Sequence, residues 1–119
     1  MIDHIGIHVT NLRKSLDFYA KALAPIGYAV SASNNDGGAL GKNDSPDIYL
    51  YPAKSPTKMH LAFKATSRAI VDQFHAAALA AGGHHNGQPG VRADYSPHYY
   101  AAFVVDPDGN NVEAVCSQG

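Results

Sequence analysis

Three residues of this sequence could do chemistry together: His4, His60 and Glu113. Two neutral imidazoles and one carboxylate form a facial set of donors for a single divalent cation. Such a set leaves coordination positions open for water or substrate oxygens and suits Fe(II), Mn(II), Ni(II) or Zn(II). Each residue falls in a segment that reads as a strand. Alternate residues of a strand share a face, so His4, Gly6 and His8 point one way and the apolar Ile5, Ile7 and Val9 the other. The apolar set must pack on a helix, which turns His4 toward the concave side of the sheet. The same alternation turns His60 inward, with Leu61, Phe63 and Ala65 toward the helix. Glu113 sits between Val112 and Ala114, in mid-strand, where a carboxylate is costly to bury without a partner. A divalent cation would be such a partner.

The elements that must hold these residues occur twice. Sliding the sequence by 56 positions lays His4 on His60, Thr10 on Thr66, Phe18 on Phe74, Leu23 on Leu79 and Gly27 on Gly83. A repeat of this period is two copies of one supersecondary unit. Each copy opens with a strand, His4 to Val9 and His60 to Ala65. A helix follows each strand. Thr10 or Asn11 caps the first helix, with Leu12, Leu16, Tyr19 and Leu23 as its apolar stripe, and Pro25 and Gly27 end it. Thr66 or Ser67 caps the second, Ile70, Phe74 and Ala77 or Ala78 face inward, and Gly82-Gly83 ends it. Three short strands complete each copy: Tyr28 to Ser33, Ala39 to Lys42 and Asp47 to Tyr51, then Gly83 to Gly87, His98 to Val105 and Asn111 to Cys116. Asp106-Pro107-Asp108-Gly109 makes the last hairpin turn. The tract Asn86 to Pro97, broken by Gly87, Pro89 and Gly90, reads as a loop.

The expected fold is therefore α+β, a single domain over 1–119. Two tandem βαβββ modules, 1–52 and 58–117, would form a half-open, mostly antiparallel, barrel-like sheet of eight strands around a concave metal site. Pseudo-twofold symmetry between the half-sheets would bring His4 and His60 together. A chain of 119 residues with 45% hydrophobic content can fill one modest core. Nine basic against 10 acidic residues leave no electrostatic footprint for nucleic acid. No run is apolar enough to span a membrane, and the N-terminus has none of the regions of a signal peptide. The single cysteine, Cys116, fits a reducing compartment. A complete, soluble, cytoplasmic chain is the expectation.

The motifs also resemble those of a known superfamily. His4-Ile-Gly-Ile-His-Val-Thr-Asn-Leu-Arg-Lys-Ser-Leu-Asp-Phe-Tyr19 is similar to the first strand and helix of vicinal oxygen chelate proteins, the glyoxalase, bleomycin resistance and extradiol dioxygenase group. His60-Leu-Ala-Phe63 resembles the start of their second module, and Phe103-Val-Val-Asp-Pro-Asp-Gly-Asn-Asn-Val-Glu113 their closing hairpin, whose glutamate ligates metal. The resemblance spans nearly the whole chain. It implies one divalent metal held by His4, His60 and Glu113, a small-molecule substrate and a homodimer. The fourth ligand position of glyoxalase I falls on Tyr49, whose hydroxyl is a poor ligand at neutral pH. A three-ligand site follows, as in extradiol dioxygenases and fosfomycin-resistance transferases.

The function so implied is lyase or isomerase chemistry, in which adjacent substrate oxygens chelate the metal and a negative intermediate is stabilised. Glu113, His8 and His98 are the candidate acid/base groups. Arg92 is a candidate anion anchor, and Tyr49, Tyr51, Tyr95, Tyr99 and Tyr100 are candidate walls for the substrate. His84 and His85, just past the second helix, read as solvated. Two alternatives stand: ring-opening oxygenation of a catechol at Fe(II), and a non-catalytic ligand-binding module of the bleomycin-resistance kind.

Overall fold

The computed structural model describes residues 1–118. The first module runs β1 Ile5–Val9, α1 Leu12–Ala22, a 3₁₀ turn Ala24–Ile26, β2 Ala29–Asn34, β3 Gly37–Lys42 and β4 Ser45–Pro52. The second runs β5 His60–Lys64, α2 Arg68–Ala80, β6 His84–Val91, β7 Tyr100–Val105 and β8 Asn111–Cys116. The βαβββ unit is repeated, as the periodicity requires. No helix among the described residues is long and apolar enough to cross a membrane.

Local chemistry sets the helix ends. Asn11 accepts from the Lys14 backbone N–H and Ser67 from that of Ile70, so each helix has a side-chain N-cap. After α1, Pro25 presets the 3₁₀ turn and Gly27 closes it at φ 104°. Such a φ suits glycine alone among ordinary residues.

Each module makes its own four-stranded sheet, in the orders β1-β4-β3-β2 and β5-β8-β7-β6. The β1–β4 and β5–β8 pairs are parallel and the others antiparallel. The architecture is thus an open α+β arrangement of two sheets, and no ladder joins them into one eight-stranded sheet among the described residues. One face of each sheet packs on its helix. Ile7, Val9, Leu40, Ile48 and Leu50 meet Phe18, Tyr19 and Leu23 in the first module; Phe63, Ala102, Val104, Val112 and Ala114 meet Val71, Phe74 and Ala78 in the second. The two sets are continuous through contacts between α1 and α2. Phe18 and Phe74, equivalent across the repeat, are both fully buried, and truncating either to Ala would cost about 3–5 kcal/mol. Cys116 is buried at the end of β8 as a small hydrophobe.

A polar clasp fixes how the modules meet. The buried Asp106 of the β7–β8 turn accepts from the Tyr19 hydroxyl of α1 and from the backbone N–H groups of Asp108 and Asn110 at 2.9 and 2.8 Å. Asn110 donates to the Thr57 carbonyl at 2.9 Å and accepts from the Met59 N–H at 2.8 Å. Thr10, between β1 and α1, donates to Asp108 through its backbone N–H and its hydroxyl. The segment between the modules turns back along β1, where the Thr57 N–H bonds the His8 carbonyl and the Thr57 hydroxyl accepts from the His8 N–H.

The tract read as a loop from Asn86 is instead partly strand. β6 continues to Val91, pairing Gly87 with Phe103 and Gly90 with Ala101 across register shifts. The reason is position: β6 is an edge strand, where proline and glycine interrupt no second ladder and bulges are tolerated.

Candidate functional site

The faces opposite the helices carry the polar chemistry. In the second module, β8 turns Val112, Ala114 and Cys116 to the core and Glu113 to the concave side, yet Glu113 is only 2% exposed. Its carboxylate is held from two sides. Tyr99, just before β7, donates its hydroxyl to Oε2. His60, at the start of β5, places Nε2 2.9 Å from Oε1 while half its side chain stays exposed.

The other ring nitrogen decides what that contact means. Nδ1 of His60 lies 3.0 Å from the Asn111 carbonyl oxygen, which can only accept, so Nδ1 carries a proton. Nε2 and Oε1 would otherwise present lone pairs to each other. A proton, on the ring or on the carboxyl, or a metal cation must therefore lie between them. Adjacent ligands with bonds of about 2.0–2.2 Å to one metal sit roughly 3 Å apart at right angles. The observed separation fits. A histidine whose remote N–H is tied to a backbone carbonyl is also the usual arrangement of a metal-ligating imidazole.

Tyr99 keeps its proton. Its own desolvation and the adjoining Glu113 carboxylate push its pKa up to about 12, so it is a fixed donor to Oε2 at neutral pH. Phe103 stands directly opposite Glu113 on β7, and the His60 ring lies stacked 6.4 Å from it. The Arg92 guanidinium lies 5.3 Å from the centre of the same Phe103 ring.

The first module has the same frame with different chemistry. The register pairs Gly6 with Tyr49 where the second pairs Ala62 with Glu113, so Tyr49 occupies the position equivalent to the acid. His4 is exposed, 2.7 Å from Asp3, with its ring 5.3 Å from that of Tyr49. His8 is exposed, 6.3 Å from the ring of Tyr51, which packs over the space left by Gly6 and Gly37. A groove of about 280 Å³ lies on this face, lined by Tyr49, Tyr51 and residues of β2 and β3.

His60 and Glu113 are thus brought together, and His4 is not brought to them. Among the described residues no three His, Cys, Asp or Glu side chains converge on one cation position within the chain. Symmetry relates His4 to His60 but does not juxtapose them: no ladder joins the two sheets among the described residues, and the modules meet through α1, α2, the Tyr28–Phe63 contact and the Asp106 clasp.

The remaining candidates divide. Tyr99 and Arg92 lie on the concave face of the second module, and Tyr49 and Tyr51 on that of the first. Tyr95 is exposed and packs edge-on against Tyr99 at 4.9 Å. His98 is exposed. Tyr100 does not line the site: it pairs with the buried Cys116 on the helix side, donates to Asp72 at 2.7 Å and lies under Arg68. Alternation decides this, since β7 turns Tyr100, Ala102 and Val104 toward α2 and Ala101 and Phe103 away. The same alternation is the signal that would have singled out Phe103 from the sequence. His85 is not simply solvated: its Nδ1 meets Nε2 of His75 at 3.2 Å.

Comparisons with known proteins agree with this architecture. A family model described as the Glyoxalase/Bleomycin resistance protein/Dioxygenase superfamily matches residues 1–114. A glyoxalase/bleomycin resistance protein from Albidiferax ferrireducens T118 is 27% identical, with 97% of each chain covered and a TM-score of 0.82. A family enzyme from Burkholderia phytofirmans PsJN shares 18% identity over 98% of each chain, TM-score 0.76, and a glyoxalase-related enzyme from Fulvimarina pelagi 19% over 98% of this chain and 87% of its own, TM-score 0.76. These last two likenesses concern the fold alone. No curated protein matches the sequence.

Proposed function

The chain belongs to the glyoxalase/bleomycin resistance protein/dioxygenase superfamily, which includes enzymes, and we propose that it is a homodimeric metalloenzyme of lyase or isomerase type. His60 and Glu113 of one copy, with His4 of a second, would hold one Fe(II), Mn(II), Ni(II) or Zn(II) ion. The observation that carries this reading is the buried Glu113 facing Nε2 of a histidine whose other nitrogen is already committed as a donor. Such a pair needs a proton or a metal cation between its members. The donor set fits two of three ligands, and a second copy is the source of the third because His4 lies apart within the chain. When bound, the ion would supply Lewis-acid stabilisation of negative charge on adjacent substrate oxygens.

The chain's own groups have separate tasks in this reading. Tyr99 holds Oε2 so that Oε1 alone faces His60, and the Asn111 carbonyl fixes the imidazole tautomer. Tyr49 and Tyr51 would wall the substrate from the first module. Glu113 accepts a proton if its contact with His60 opens; His8 and His98, both exposed, are the other bases available.

A second reading rests on the same contact. If a proton rather than a metal lies there, the concave faces serve to sequester a ligand without chemistry. Elemental analysis separates the two. One divalent ion per chain in purified protein, lost on Glu113→Ala and on His4→Ala, is expected; a parent protein that takes up no stoichiometric metal would sink the enzyme reading.

A further inference from the structure

Arg92 is a half-buried cation without an acid. Among the described residues the ion pairs are His4–Asp3, Lys21–Asp17 and His60–Glu113, and Arg92 is in none of them. Its guanidinium is nonetheless held in place. Nη1 donates to the Gly90 carbonyl at 2.9 Å, Nη2 to the Gln88 carbonyl at 2.7 Å, and the plane packs on Phe103. Its backbone is fixed as well, the Arg92 N–H donating to the Tyr99 carbonyl at 2.7 Å.

The edge strand leaves room for it. A Cβ on Gly87 would stand 3.3 Å from Nη2 and 2.9 Å from Cδ1 of Phe103, and one on Gly90 would stand 3.1 Å from Nη1. The glycines that make β6 irregular are thus the floor on which the guanidinium lies. Two of its five N–H groups are used, and three remain in a rigid fork. An arginine so seated has lost its side-chain freedom before any ligand arrives, which lowers the entropic cost of capturing one.

Its partner is defined by what surrounds it. Across the sheet the order is Glu113 on β8, Phe103 on β7 and Gly87 of the Arg92 seat on β6, so Phe103 lies between the carboxylate and the seat of the guanidinium. From this we infer that Arg92 is the specificity-determining residue for an anionic substrate. The ligand carries a carboxylate or phosphate that pairs with the Arg92 fork, a flat apolar middle resting on Phe103, and its reacting oxygens at the His60–Glu113 end. This rests on the functional reading above for its reacting end only; the anion end stands on Arg92, Phe103 and the two glycines.

The test is direct binding to metal-free, chelator-treated protein, followed by NMR at the Arg92 Nε–H and Phe103 ring signals. Benzoate and phenyl phosphate are the anionic probes and benzamide the neutral one. Both anions are expected to shift those signals and to bind more tightly than benzamide; the tighter of the two names the anion class. Arg92→Met should weaken both by about tenfold or more, the usual worth of a hydrogen bond to a charged group, and leave benzamide unchanged. Gly90→Ala, which keeps the charge but crowds Nη1, should weaken them severalfold, and decides the matter if Arg92→Met does not fold. Equal anion binding by parent and variant, or benzamide binding as well as benzoate, overturns the inference. Repeating the titration on Glu113→Gln separates this claim from the metal site: anion binding that survives there while metal is lost supports Arg92 alone, and anion binding absent from a parent that loads metal overturns Arg92 alone.

Discussion

The two modules are copies of one unit that have come to different ends. The register places Tyr49 and Glu113 at equivalent points, each beside the first strand of its module and each near the histidine at the start of that module. In the first module the histidine is exposed and meets a phenol ring edge-on; in the second the acid is buried, with an imidazole at 2.9 Å and a tyrosine hydroxyl on its other oxygen. Their hairpin turns differ too. The β3–β4 turn, with Asn43 and Asp44 at φ 51° and 58°, is exposed, whereas the β7–β8 turn buries Asp106 and Asn110 and binds the first module. The modules share a frame and differ at single positions within it.

The sharpest way to break this contrast is to exchange its key residues. If Glu113 is a ligand, as proposed, Glu113→Gln should weaken metal binding by about 100-fold or more, since a ligand is lost rather than one of its supports. Tyr49→Phe at the equivalent position should leave metal content unchanged. Equilibrium dialysis against a chelator measures both, and equal losses would show that the two faces are not specialised as described. Next in size is the turn pair. Asp106→Ala strips a buried acceptor from Tyr19, Asp108 and Asn110 and should cost about 3 kcal/mol or more in chemical denaturation. Asp44→Gly relieves a positive φ on an exposed turn and should change stability by less than about 1 kcal/mol.

A smaller contrast lies in the tyrosines. Tyr99 beside Glu113 and Tyr28 beside Asp47 are both pushed up to about 12, first by desolvation and then by the acid. A folded-state pKa above the ordinary value of about 10 means that the native state holds its proton more tightly. The corresponding stability is present below pH 10 and is lost as pH rises from about 10 to 12. Tyr99→Phe and Tyr28→Phe should each flatten part of that alkaline loss, followed by thermal unfolding against pH. The smallest effect belongs to His75, whose pKa is lowered by desolvation and by His85. A lowered histidine stabilises the fold above its ordinary pKa, and that contribution is lost as pH falls below about 6.5. His75→Gln should flatten the acid limb slightly.

The repeat, the helix caps and the faces of β1, β5 and β8 were legible because each rests on local periodicity: Ile7, Val9, Phe63, Val112 and Ala114 are buried where alternation puts them. β6 was hidden by Gly87, Pro89 and Gly90, which break central strands but not an edge. Tyr100 follows the phase of Val104 rather than that of the preceding loop, which turns it to the helix side and away from the site. The separation of His4 from His60 was invisible for a deeper reason. It depends on how two modules dock, and that is fixed by Tyr19, Asp106, Asn110 and Thr57, which are scattered in sequence and carry no periodic signal.

In the proposed dimer a cation is shared between copies, with His4 from one chain and His60 and Glu113 from the other. Mixing His4→Ala protein with Glu113→Ala protein under conditions that exchange subunits tests it most directly. A heterodimer of this kind rebuilds one intact site from the unmutated His4 of one chain and the unmutated His60 and Glu113 of the other. Neither variant alone should bind stoichiometric metal, and the mixture should recover it, up to one ion per heterodimer. No recovery in a mixture that has demonstrably exchanged, or full metal binding by the His4→Ala protein alone, would contradict it.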